Sequence, residues 1–142
     1  MKTSKELLSS IVKTAQMGQV GVKSVMEYAQ GAALKAALHS QLKEYDMIEE
    51  EALQIANQRG WDIPQLNSAT KIMSQSYAKA NLMVGNTDSR IAAMMINGNT
   101  KGMIKSIKNK HHSNNTDQRI NKLGEKLLSF ENENVQQMQE YL

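Results

Sequence analysis

Six polar residues fall on or beside helical stripes otherwise built of Leu, Ile, Val, Met and Ala: Gln19, Gln41, Glu44, Asn99, Glu131 and Asn134. Taking a polar side chain out of water without a partner costs roughly 2 kcal/mol or more, so several in one core need a reason. Carboxylate and amide oxygens can hold a metal ion, or they can bond to one another in a polar layer. They can also stand at helix boundaries and reach water. Two pairs have the spacing of shared ligands: Glu44 with Met47, and Glu131 with Asn134. Residues three apart lie on one helix face and can reach one ion.

The elements that position these residues are legible as periodic runs. Thr3-x-x-Glu6 is a capping box ahead of Leu8, Ile11, Val12, Ala15, Val22, Val25, Met26 and Ala29, with Gln19 on that stripe and Gly31 marking the break. A second helix carries Leu34, Leu38, Gln41, Tyr45, Ile48, Ala52 and Ile55, the four-and-three alternation of a bundle seam. Gly60 is placed for a left-handed cap, Trp61 to fold back on the last turn, and Pro64 to prevent continuation. A shorter helix is expected from Leu66 to Met83, with Ala69, Ile72, Met73, Ala80 and Met83 inward. Thr87 or Asp88 caps the next helix, whose stripe reads Ile91, Met94, Met95, Gly98, Gly102 and Met103, with Asn99 on its flank. Thr116 is a cap for the last helix, with Ile120, Leu123, Leu127, Phe130, Asn134, Met138 and Tyr141 inward and Glu131 between Leu127 and Val135.

Composition sets the bounds. A chain of 142 residues with one Pro, no Cys and few aromatics reads as one all-α domain spanning residues 1–142. Without cysteine there is no disulfide, thiolate catalysis or Cys-based zinc site. No apolar run approaches the ~18 residues of a membrane span, and the segment MKTSKELLSS lacks the apolar core of a signal peptide. A cytoplasmic location is the expectation. The net charge of +3 permits contact with anionic surfaces without requiring it.

The helices also read as a pseudo-repeat. Gly18-Gln19 with Gly21 in the first is echoed by Gly98-Asn99 with Gly102 in the fourth, and Glu44-x-x-Met47 in the second by Glu131-x-x-Asn134 in the fifth. On these residues the chain resembles bacterial ferritin-like families of unknown function, in which Gly-Glu pairs recur in the first and penultimate long helices. Arg59-Gly60-Trp61 is also similar to the helix end of ferritin-like proteins associated with spore coats. The resemblance implies an up-and-down four-helix bundle with a short additional helix between the two helical pairs. It also implies a dimetal layer built from single Glu residues and Glu-x-x-His pairs, onto which Gln19, Asn99, Glu44 with Met47 and Glu131 with Asn134 map.

Those replacements change the chemistry. Two irons need carboxylates to balance and bridge them, whereas amides are neutral, Met47 is soft, and His39, His111 and His112 lie outside the mapped positions. No cofactor, metal ligand or catalytic residue is therefore assigned. The expected role is that of a non-enzymatic structural or interaction protein with a degenerate metal site, forming a homodimer or larger assembly, with spore association one setting for it. The alternatives are an iron- or manganese-binding ferritin-like protein and a polyanion-binding module using Lys101, Lys105 and Lys108. No aromatic is interleaved with those lysines, so nucleic acid is not an expected partner. The glycine motifs read either as close helix–helix approach, the favoured expectation, or as the wall of a pocket.

Overall fold

The computed structural model describes residues 1–66, 78–79, 87–113 and 117–142. Four long helices make up the described fold: α1 (Ser4–Met26), α2 (Ala32–Gln58), α3 (Thr87–His111) and α4 (Gln118–Met138), followed by a short 3-10 turn, Gln139–Tyr141. Most of the helix expected between Leu66 and Met83 lies outside the described residues, as does Thr116.

Local chemistry explains the boundaries. Thr3 closes the capping box: its hydroxyl accepts from Glu6 N–H at 3.2 Å, and its own N–H donates to Glu6 at 3.4 Å. At the end of α2, Gly60 takes φ +66°, Trp61 N–H donates to Ala56 C=O at 2.9 Å and Gly60 N–H to Asn57 C=O at 3.2 Å. This is a Schellman cap, and the Arg59 guanidinium stacks 5.5 Å over the Trp61 ring. The last helix is capped by Asp117, whose carboxylate accepts from Arg119 and Ile120 N–H, where Thr116 was the expected cap. An anionic oxygen is the better partner for the partial positive charge of a helix start.

Helix directions follow from contacts at the two ends of the bundle. Lys2 N–H donates to His112 C=O, and the Asp88 carboxylate accepts from Gln30 and Gly31 N–H at 2.8 and 2.9 Å. Each end of α1 therefore meets the opposite end of α3. Arg59 pairs with Asp117, and Arg119 donates to Gln58, so α2 and α4 are antiparallel too. The order is up-down-down-up. This corrects a simple up-and-down reading: α2 and α3 run parallel, and the end of α2 and the start of α3 stand at opposite ends of the bundle.

The tightest pairs are the hairpins α1–α2 and α3–α4. Their core holds Leu8, Val12, Val22, Leu34, Leu38, Ile48, Ile55, Ile91, Ile120, Leu123, Leu127 and Met138. The α2 and α4 seams face inward as their periodicity predicts. The α3 seam is rotated: Asn99 is buried and Gly98 exposed, because Asn99 has a bonding partner inside and Gly98 has no side chain to bury.

Candidate functional site

A polar layer crosses the middle of the core, and its hub is Tyr45. The ring of Tyr45 meets Phe130 edge-on, with centroids 4.7 Å apart at 77°. Its hydroxyl lies 2.7 Å from Asn99 Oδ1 and 2.9 Å from Glu131 Oε2. Asn99 is held in turn: its Nδ2 donates to Met95 C=O at 2.8 Å, and its Oδ1 accepts from Asn134 Nδ2 at 3.4 Å. The donation to Met95 fixes which end of the amide is oxygen.

One hydroxyl has one hydrogen, yet Tyr45 Oη faces two acceptors. The layer is complete only when Glu131 is protonated, so that Glu131 donates to Tyr45 and Tyr45 donates to Asn99. Glu131 is 1% exposed, and burial raises its carboxyl to about 7 against the opposing effect of the Tyr45 hydrogen bond. The Tyr45 phenol is itself raised, by burial first and then by the charge of Glu131. Below about pH 7 the layer is thus a chain of neutral groups. Its one loose end is Glu131 Oε1, buried with no hydrogen-bond partner among the described residues.

The glycines make this layer possible. A side chain at Gly18 would overlap the Tyr45 ring, and one at Gly102 would overlap the Glu131 carboxyl. The close approach expected at these motifs is therefore between backbone and a side chain from another helix. Gly21 and Gly98 behave differently: nothing among the described residues lies within 4 Å of a Cβ added at either. All four border a cleft of about 780 Å³ between α1 and α3, with Tyr45, Asn99 and Glu131 in its wall.

The predicted residues divide. Asn99, Glu131 and Asn134 converge. Glu44 does not: it is exposed on the outer face of α2, its carboxyl raised by partial burial and the charge of Glu133 while Lys126 pulls it down. The position one residue on, Tyr45, takes the inward place because a phenol carries its polar atom at the far end of an apolar ring. Met47 is also exposed. Gln41 is buried but faces the end of α4, where its Nε2 donates to Gln137 at 3.3 Å and its Oε1 has no partner among the described residues. Gln19 is half-buried, with Nε2 likewise unpartnered. No group of three or more His, Cys, Asp or Glu able to hold a metal ion occurs among the described residues.

Sequence reasoning passed over three positions. Tyr45 was legible as a seam residue, and its place four after Gln41 opposite glycine-bearing helices was the available signal. Buried Asn109 donates to Ser10 at 2.7 Å, and buried Gln16 accepts from Leu66 N–H at 3.2 Å while also bonding Gln65, so that it anchors the chain leaving α2. Both partners are remote in sequence, and no local pattern marks them. Comparison with protein-family models, curated proteins and solved structures returned no match.

Proposed function

We propose that the chain is a ferritin-like bundle in which a neutral hydrogen-bonded layer takes the place of a dimetal layer, and that it acts in the cytoplasm by binding and self-association, without catalysis. The observation that carries this reading is the Tyr45 hydroxyl set between Asn99 and Glu131. A phenol fills the centre where two ions would sit, and burial favours the uncharged form of the acid beside it. The parallel run of α2 and α3 supports the ferritin-like assignment, since it is the helix order of such bundles. Self-association has a surface available in Ile104 and Ile107, exposed and three residues apart on α3.

The test is elemental analysis after incubation with Fe(II), Mn(II) and Zn(II). The expected result is substoichiometric metal, unchanged in Glu131→Ala and Glu44→Ala. Stoichiometric retention that disappears in either variant overturns the reading and installs a reduced cation site. A second reading rests on Lys105, whose ammonium is held below its ordinary value by partial burial and by the charges of Lys2 and Lys13. Such crowding suits a polyanion. It predicts DNA binding that weakens steeply with salt and is lost on neutralising Lys101, Lys105 and Lys108.

A further inference from the structure

Two glycines in the cleft between α1 and α3 have no packing explanation. Each costs a helix interior about 1 kcal/mol relative to Ala, and neither Gly21 nor Gly98 has a neighbour among the described residues that a methyl group would meet. What they provide is width. The volume of about 780 Å³ lies within the ~300–1,000 Å³ of small-molecule sites.

The register of the two helices orders the cleft along its length. The Ser10–Asn109 bond near one end and the Asp88–Gln30 bond near the other set Lys13 level with Lys105. The same register sets Gly18 level with Gly102, Gly21 with Gly98, and Val25 with Met94. All eight line the cleft. One end is thus basic, the middle presents Glu131, and the far end is apolar and widened by glycine. The span from Lys105 to Met94 is roughly 16 Å at the helical rise.

Glu131 Oε1 makes this more than a stripe of small residues. It belongs to a residue that is 1% exposed and lines the cleft, it packs against Gly102, and it lacks a partner among the described residues. With the proton committed to Tyr45 through Oε2, Oε1 is an acceptor that needs a donor. An ammonium donor is disfavoured by Lys13, Lys101 and Lys105 around it. A hydroxyl or amide N–H is not. Lys105 and Gly102 are three residues apart, about 4.5 Å along the axis, which places the donor a short distance from the anionic group.

We propose that this cleft binds a small amphipathic anion. Its carboxylate or phosphate pairs with Lys13 and Lys105, a hydroxyl or N–H close to that group donates to Glu131 Oε1, and an apolar tail lies past Gly21 and Gly98. The inference rests on a protonated Glu131 and not on any proposal about metal or assembly, so metal retention and ligand binding can fail separately.

Calorimetry and thermal shift with 3-hydroxydecanoate, decanoate and decyltrimethylammonium, each below its micellar concentration, test it. The hydroxy acid is expected to bind saturably and raise the melting temperature, decanoate to bind more weakly, and the cation not to bind. Gly98→Leu fills the wide end, and Lys13→Gln with Lys105→Gln removes the anion partners; each should weaken binding about tenfold or more. All three sites are exposed, so folding is checked simply by circular dichroism. Three outcomes overturn the proposal: no saturable binding of the hydroxy acid, binding indifferent to both sets of substitutions, or equal binding of the cationic amphiphile. Equal affinity for decanoate and its hydroxylated form removes Glu131 from the site.

Discussion

The proton on Glu131 links one residue to the stability of the whole core. Its carboxyl titrates near 7 in the folded chain and near 4.5 when unfolded, so between those values the native state binds more protons than the unfolded state. Its contribution is fully present below about pH 4.5 and is lost as pH rises through about 7. The amount is on the order of 3 kcal/mol at ~1.4 kcal/mol per tenfold. The groups around it are Tyr45 in direct contact, Asn99 and Asn134 beyond, and Lys101 and Lys105 along α3. Glu131→Gln keeps a donor for Tyr45 and removes the titration. Urea unfolding from pH 5 to 8 should show the native protein weakening with pH and the variant nearly level, the variant being the more stable at pH 8. A variant as steep as the native protein would refute the protonated layer.

At the level of helices, the seams of α2 and α4 could be read because their polar members interrupt an otherwise regular apolar period. Leu34, Leu38, Gln41, Tyr45, Ile48, Ala52 and Ile55 are all buried, as that period requires. The α3 face was harder to read. Periodicity there is diluted by two glycines and three asparagines, and the face that wins is set by Tyr45, which arrives from another helix. For the same reason the four motif glycines look alike in sequence and differ in structure. Gly18→Ala drives a methyl group into a rigid buried ring and should cost about 1–3 kcal/mol, the usual range for overpacking. Gly98→Ala meets nothing among the described residues and should stabilise α3 by up to ~1 kcal/mol through helix propensity. Chemical denaturation of the two variants gives opposite signs if the glycines have these separate roles. Loss of stability in both would mean that Gly98 supports packing after all.

Across the whole molecule, the up-down-down-up order requires each end of the bundle to be closed by residues far apart in the chain. Gly31 begins α2 with no side chain to cap it, and Asp88 supplies the missing acceptor from the start of α3. At the opposite end Asp117 caps its own helix and pairs with Arg59, which ties α4 to α2. The caps are visible in the sequence as residue types; which helix each one serves is not, because that depends on the directions in which the helices run. Losing a cap costs roughly 0.5–2 kcal/mol. Asp88→Ala should therefore lower stability by that order and expose the amides of Gln30 and Gly31 to hydrogen exchange, although both precede the substitution by more than fifty residues. Asp117→Ala should instead release the amides of Arg119 and Ile120. The two sites share no partner and lie at opposite ends, so the double variant should lose the sum of the single losses. Clear non-additivity would show that the ends communicate, and the place to look for the connection would be the hydrogen-bonded layer at Tyr45, where α2 meets α3 and α4.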